Sequence, residues 1–212
     1  AVGEDDQSYK FYVGDLKFAD LNNDGKINKG DWTLANPGDF RKIGNSSSRY
    51  PYSFDLSADW KGFDIRGFFQ GIGKRDWYAG GGNHYFWGIY AQPWTNVQTH
   101  NLDHWTPENP NAYYPRVKAY IAESTGSELA CVQTRYMQDA SYLRMKNLTI
   151  GYTLPQDLTR KLNIERVRFY FSGENLFEIT HLKANLDPEA LDSSSKVYPL
   201  QRSYSFGVNL TF

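Results

Sequence analysis

The residues best suited to chemistry lie in one twelve-residue segment, Asp20–Asp31. Its oxygen donors fall at positions 1, 3, 5, 7, 9 and 12 of a calcium-binding loop, and a glycine stands at position 6, where such a loop turns sharply. Donors at alternate positions converge on one cation because the loop winds around it. We therefore predict a structural calcium site with these ligands: Asp20, Asn22, Asp24, the carbonyl of Lys26, Asn28 and Asp31.

Two features distinguish this segment from a complete EF-hand. Asp31 stands where glutamate usually supplies a longer, bidentate arm, and the flanking sequence does not predict a pair of helices. The segment is instead similar to isolated, dockerin-type calcium loops. The alternative is a turn rich in Asp and Asn, in which side chains accept backbone hydrogen bonds and no metal is needed.

Aromatic and amide side chains are concentrated in the long segment 72–141. Such a mixture suits sugar recognition, in which rings stack on the apolar faces of pyranoses. Four rings near amides and the glycine run 80–82 are predicted to contact substrate: Trp77, Tyr85, Trp87 and Trp94. The alternative is that these rings pack against one another, against a partner protein, or against the other aromatics of the segment: Tyr78, Phe86, Tyr90, Trp105, Tyr113, Tyr114 and Tyr120.

Signatures of catalysis are missing from the sequence. His100 and His104 are four residues apart, which would suit zinc on a helix, but the segment has no helical pattern and no third ligand at a matching spacing. Cys131 is the only cysteine, so it excludes an internal disulfide, and no histidine lies near it in sequence. We therefore predict that the chain is not an enzyme.

The elements that must position these residues are β-strands. Apolar and polar residues alternate in five segments, which predicts strands at about 52–60, 63–71, 142–154, 166–175 and 202–212. Lys61-Gly62 predicts a two-residue hairpin turn in which the glycine has a positive φ. The alternation changes phase near Lys146, which predicts a β-bulge there.

The connections between these strands alternate in length. Those at 61–62 and 155–165 are short, whereas those at 72–141 and 176–201 are long, which is the plan of an outer-membrane barrel. The segment 52–60 also carries aromatic residues towards its ends with Leu56 between them, as a lipid-facing strand requires. The fold class is all-β and antiparallel. The alternative is a soluble, calcium-stabilised carbohydrate-binding β-sandwich module whose apolar face lies in a protein core.

Composition limits the classes of partner. The 212 residues carry 23 Lys and Arg against 24 Asp and Glu, a formal net charge of −1, which argues against a nucleic-acid binder. The chain is 40% hydrophobic and 17% aromatic. No run of about 18 apolar residues predicts a membrane-spanning helix, but strands need only about 10 alternating residues. The N-terminus lacks the features of a signal peptide, so we expect a mature, trimmed or partial chain.

Several segments carry a family resemblance. The most specific are W-T-P-E-N-P at 105–110 and S-Y-L-R-M-K-N-L at 141–148; the others are G-D-L-K-F at 14–18, W-K-G-F-D at 60–64, S-G-E-N-L-F at 172–177 and the closing strand 202–212. Taken in order, they resemble the C-terminal part of SusC/RagA-type TonB-linked outer-membrane transporters of Bacteroidota.

The resemblance implies a place in a larger assembly. It implies that 1–51 is an extracellular loop region containing the calcium-type loop 20–31, and that 52–212 forms the last strands of a large, multi-pass transmembrane β-barrel in the bacterial outer membrane. Five strands cannot close a barrel, since small closed barrels need about eight. The implied partners are a SusD-like surface lipoprotein, TonB through a missing N-terminal part, and the rest of the barrel and its plug. The implied substrate is a glycan or a peptide.

Overall fold

The computed structural model describes residues 12–92, 94–118, 128–191, 198 and 200–212. Tyr120, one of the aromatics considered above, lies outside these residues. The described chain divides into two compact units. We call residues 12–45, 77–138 and 191 the loop unit, and residues 46–76, 139–190 and 198–212 the sheet unit. This division differs from a boundary at residue 51, because the long segment 77–138 packs with the N-terminal residues.

The sheet unit is built on one five-stranded antiparallel sheet. The strands of the chain are β1 Arg49–Trp60, β2 Phe63–Lys74, β3 Asp76–Trp77, β4 Gln138–Asp139, β5 Tyr142–Thr153, β6 Arg166–Thr180 and β7 Ser203–Thr211. The strand order of the large sheet is β1-β2-β5-β6-β7, and β3 pairs with β4 in a separate two-stranded sheet. β6 continues five residues beyond its expected end.

Two local predictions about the sheet are confirmed. The β1–β2 hairpin turns through Lys61 at φ 46° and Gly62 at φ 89°, and positive φ at both central residues matches the right-handed twist of the strands. The register between β5 and β6 shifts between Met145 and Asn147, which leaves Lys146 as the bulged residue. The bulge allows Leu143 and Met145 to share a face with the apolar residues that follow it.

Helical structure in the described residues is short. The α-helices are α1, His84–Trp87, and α2, Gln156–Thr159, and three 3₁₀ turns accompany them. Asn83 caps α1 by accepting a hydrogen bond of 2.9 Å from the Phe86 backbone N–H. No described helix is long and apolar enough to span a membrane.

Candidate functional site

The most extensive candidate site is the apolar face of the five-stranded sheet. Cross-strand neighbours share a face, so the register brings the alternating apolar residues of all five strands together. Phe54 stacks on Phe69 at 4.7 Å between ring centroids, and Phe171 lies 5.2 Å from Phe206. Phe54 and Phe206 are exposed, with Phe206 retaining 83% of its accessible surface, whereas Phe69 and Phe171 are half-buried. We call this surface the apolar face.

Aromatic residues are concentrated at both ends of the apolar face. At the end with the short turns, Phe63 and Tyr152 lie 4.5 Å apart, and the ammonium group of Lys61 lies 5.0 Å from the ring centre of Trp60. Towards the opposite end, the Phe69 ring meets that of Phe177 at 6.2 Å, and beyond them the Tyr52 hydroxyl donates to the Tyr142 carbonyl oxygen at 3.0 Å. The residues between the ends form two rows: Leu56, Gly67, Leu148, Gly173 and Tyr204, then Ala58, Ile65, Ile150, Phe171 and Phe206. Paired aromatic rims around an apolar band are typical of strands that cross a bilayer.

The opposite face of the sheet is polar and internally paired. The guanidinium group of Arg66 binds Asp55 at 2.6 Å, and that of Arg168 binds Asp64 at 2.5 Å. Asp64 and Arg168 reach each other across β5, where a side chain at Gly151 would collide with both. We call this surface the polar face. In a soluble sandwich the apolar face would be packed against a second sheet, whereas here much of it is exposed among the described residues.

A further ion-pair cluster on the polar face was not predicted from sequence. The Arg144 side chain, only 3% exposed, binds Asp187 at 2.7 Å and also pairs with Glu178 and Glu189. Lys146, at the bulge, binds Glu189 at 2.8 Å. Asp187 and Glu189 follow β6 by several residues, so no local spacing pointed to this cluster.

The four predicted substrate-contacting rings fall into two groups. Trp87 is 0% exposed and Trp77 is 8% exposed, whereas Tyr85 is half-buried and Trp94 is 72% exposed. Buried rings cannot be reached by a ligand while this packing holds. The structure therefore gives Trp77 and Trp87 a packing role, and only Tyr85 and Trp94 offer surface for a substrate.

Trp87 lies at the centre of the aromatic core of the loop unit. Its ring meets those of Phe86 at 4.8 Å and Tyr136 at 5.2 Å, in edge-to-face geometry. The indole N–H donates to the carbonyl oxygens of Ala79 at 3.0 Å and Gly80 at 3.1 Å. The rings of the core therefore pack against one another, which was the alternative to substrate contact.

The tyrosine hydroxyls of this core serve as neutral donors. Tyr90 donates to the Pro115 carbonyl oxygen at 2.6 Å, and Tyr114 donates to that of Phe86 at 2.9 Å. Burial raises the pKa of both hydroxyls well above their ordinary value, because the phenolate would lose its hydration. These bonds therefore persist at every physiological pH and tie the segments around Phe86 and Pro115 together.

The first half of the calcium-type loop is a tight turn. The Asp20 carboxylate accepts the backbone N–H groups of Asn23 at 2.7 Å and Gly25 at 2.8 Å, and Gly25 has φ 80°. The Asn22 amide donates to Asp24 at 2.9 Å. The first three predicted ligands therefore lie on one tightly turned segment.

The second half of the loop is arranged differently. Asn28 accepts the Gly30 N–H at 2.7 Å, and the Asp31 carboxylate accepts the side-chain amide of Asn36 at 2.8 Å. Within the part of the chain that the structure describes, no three His, Cys, Asp or Glu side chains are grouped as a metal site. These bonds are those of an Asp- and Asn-rich turn, with one Asp31 carboxylate oxygen bonded to Asn36.

Asp39 closes this loop and was not identified from sequence. Its carboxylate accepts the backbone N–H groups of Leu21 at 2.7 Å and Asn28 at 2.8 Å. Both bonds lower the pKa of Asp39, and the bond from Asn28 has the larger effect. Asp39 therefore joins the two halves of the loop without being one of the predicted ligands.

Residues from the family-like segments meet in the loop unit. The ring of Trp105 lies against Gly14 so closely that a side chain at this glycine would overlap it, and the Gly14 carbonyl accepts the Arg116 N–H at 2.8 Å. Beside it, Lys118 binds the Asp15 carboxylate at 2.5 Å. The segments 14–18 and 105–116 therefore form one packed framework.

Comparisons with known proteins agree with this architecture. TonB-dependent receptor P3 of Formosa agariphila is 29% identical over 212 residues, which cover 92% of this chain. TonB-dependent receptor P26 of the same organism is 26% identical over 213 residues, which cover 94% of the chain. The chain is homologous to TonB-dependent receptors. No protein-family model matches it.

Solved structures extend this homology to the fold. A structure of the RagAB peptide transporter is 27% identical, with a TM-score of 0.56 over 76% of this chain. The RagAB peptide importer in its closed-closed state is 26% identical, with a TM-score of 0.60 over 81% of the chain. The homology to TonB-dependent receptors thus covers most of the chain. It supports the interpretation that the chain corresponds to the C-terminal part of a SusC/RagA-type protein. The sheet is an open fragment that resembles part of a barrel protein.

The homologous region is a small part of each relative. The chain spans about a fifth of the length of the curated TonB-dependent receptors, 19% and 20%, and 17% to 18% of the RagAB chains. These homologues are named as receptors and transporters, not as enzymes.

Proposed function

We propose that this chain is the C-terminal portion of a TonB-dependent outer-membrane importer of nutrients. The observation that carries the proposal is the apolar face, exposed across five paired strands and bordered by aromatic residues at both ends. Strands of 12 residues exceed the about 9–11 that a tilted strand needs to cross a bilayer. Lipid would cover the apolar face, and the polar face would line an aqueous lumen.

Completion of the barrel accounts for the edges of the sheet. β1 and β7 each have one edge without a partner strand among the described residues. An open edge is not tolerated in lipid, because its N–H and C=O groups cannot bond water there. We propose that the rest of the barrel pairs with both edges, that a plug occupies its lumen, and that TonB engages the importer through its N-terminal part. A SusD-like surface lipoprotein is proposed as the extracellular partner.

Oligopeptides are the favoured substrate class. The RagAB structures are described as a peptide transporter and importer, and their similarity to this chain covers more than three quarters of its residues. Cells that carry the full-length importer should deplete a tryptic digest of casein faster than cells that lack its gene. Depletion of maltooligosaccharides or xylooligosaccharides instead would assign the importer to glycans. If the importer fractionates with the outer membrane but cells that carry it deplete neither probe, nutrient import is the wrong function.

The accessible rings Trp94 and Tyr85 are proposed to contact the substrate. Replacing either by alanine should remove a stacking contact of about 0.5–1.5 kcal/mol, or about 2- to 12-fold in the half-saturating peptide concentration. Trp32, which is exposed to a similar extent but is stacked on Phe40, provides the matched control. Uptake that is unchanged in both variants, or is weakened equally by Trp32→Ala, would count against these contacts.

Calcium is proposed as a structural ion of the loop 20–31, supported by the winding of Asp20, Asn22 and Asp24. Sites of this kind outside cells bind calcium at about 0.1–1 mM. In calcium above that range, Asp24→Ala should reduce the protease resistance of the loop to the level measured in chelator. Asp39→Ala should loosen the loop with and without calcium, because its backbone bonds do not involve the ion. If chelator leaves the wild-type loop equally resistant, the segment is an Asp- and Asn-rich turn without a metal.

A further inference from the structure

The segment after β6 folds back over the polar face. We call residues 181–190 the strap. Its turn passes through Ala184 at φ 63° and Asn185 at φ 51°. The left-handed conformation is unfavourable for alanine, so other contacts must hold the strap in place.

Those contacts are concentrated around Asp187. Its carboxylate accepts the backbone N–H groups of Glu189 and Leu200, both at 3.0 Å, and binds Arg144 at 2.7 Å. Pro188 beside it is fully buried. Burial raises the pKa of Asp187, but the N–H of Leu200 and the guanidinium of Arg144 outweigh it and hold the pKa below its ordinary value. The strap is therefore pinned by an ionised carboxylate at neutral pH.

The basic partners of the strap, Arg144 and Lys146, lie on β5 of the sheet. Arg144 pairs in register with Gln70 of β2 and Glu178 of β6, which places it two residues from the start of β5, at the end with the long connections. Lys146 extends the contact further along β5 through Glu189. The strap thus covers the polar face at one end and leaves Asp55 and Arg66 outside its contacts.

We propose that the strap is an inward-folded constriction at the outer mouth of the lumen, held closed by the pairing of Asp187 with Arg144 and of Glu189 with Lys146. This inference rests on the proposed function, because only a barrel places the polar face in a lumen. The ion pairs set how much of the wall beneath the strap is open to a solute. Residues 181–190 accordingly fold over the sheet and do not project outward.

The test uses the full-length protein in the outer membrane of intact cells, with Cys131→Ser as the background. Lys146→Cys reports on the wall beneath the strap. It removes the pair with Glu189, so in this background the strap is held by Arg144, which binds Asp187 at 2.7 Å and Glu189 at 3.5 Å. Ser57→Cys reports on the polar face away from the strap. The probe is an aqueous, membrane-impermeant maleimide, and its rate of reaction is compared with and without Asp187→Ala. Glu189→Gln serves as a milder release variant, and Asp55→Ala breaks an ion pair of the same face that does not touch the strap.

Release of the strap should raise the labelling rate of Lys146→Cys by about tenfold, equivalent to about 1.4 kcal/mol, with a smaller rise for Glu189→Gln. The rate at Ser57→Cys should stay constant, and Asp55→Ala should not affect the Lys146→Cys site. Equal labelling of Lys146→Cys in all backgrounds would overturn the strap while leaving the importer intact. If Ser57→Cys reacts with a lipid-soluble maleimide and not with the aqueous one, the polar face lines no lumen and the proposed function itself fails.

Discussion

Phe206→Arg should strongly destabilise the full-length protein in lipid, whereas Ser205→Arg should be tolerated. Phe206 lies near the middle of β7 on the apolar face, and Ser205 is its neighbour on the polar face. An arginine at the bilayer midplane of a barrel costs about 2–4 kcal/mol, while a lumen-facing arginine avoids that cost. Ser205 pairs with Ser172 in register, so the control arginine meets no opposing cation there.

Unfolding by guanidinium in lipid vesicles measures this difference. The free energy of unfolding should fall by about 2–4 kcal/mol for Phe206→Arg and by less than about 1 kcal/mol for Ser205→Arg. A larger loss for Ser205→Arg would mean that the polar face is the buried one. Equal losses would mean that neither face meets lipid.

Trp87→Ala should unfold the loop unit locally, whereas Trp94→Ala should leave it folded. Trp87 is completely buried, and its removal costs about 3–5 kcal/mol, as for other buried aromatic rings. It also removes the donor to the carbonyl oxygens of Ala79 and Gly80. Trp94 is exposed, and surface substitutions usually change stability by less than about 0.5 kcal/mol.

Amide hydrogen exchange of the full-length protein provides the measurement. In Trp87→Ala, the amides around Phe86, Tyr114 and Tyr136 should exchange at least about 100-fold faster, since 3 kcal/mol is about two factors of ten. Unchanged exchange together with a loss of peptide uptake would show that Trp87 contacts substrate, as its sequence context first suggested. The same exchange pattern in Trp94→Ala would show that the exposed ring also supports the core.

The sheet could be predicted from sequence because its signals are local. Alternation with period two defines each strand, Lys61-Gly62 defines a turn, and a change of phase near Lys146 defines a bulge. The orientation of the apolar face also follows, since the polar alternates are charged on several strands. The extension of β6 to Thr180 was missed because Glu174-Asn175 resembles a strand end, although Glu174 pairs with Ser203.

The sites were less predictable because they depend on distant contacts. Whether a ring such as Trp87 or Trp94 is buried depends on partners more than 20 residues away, such as Tyr114 and Tyr136, and neither periodicity nor composition reveals them. Asp39 closes the calcium-type loop from outside the twelve-residue pattern. The pairing of Arg144 with Asp187 spans 43 residues, and a signal for it existed only in the surplus of acidic residues at 187–189.

Spin labels placed singly along β7 of the full-length protein in lipid vesicles test the central claim, that this sheet is a wall between lipid and an aqueous lumen. Positions Tyr204, Phe206, Val208 and Leu210 should be accessible to oxygen dissolved in the bilayer, and positions Ser205 and Asn209 to a water-soluble nickel complex. The two accessibilities should alternate with a period of two residues, in opposite phase. Apolar positions that are shielded from both reagents would lie in a protein core, and this would contradict a membrane barrel.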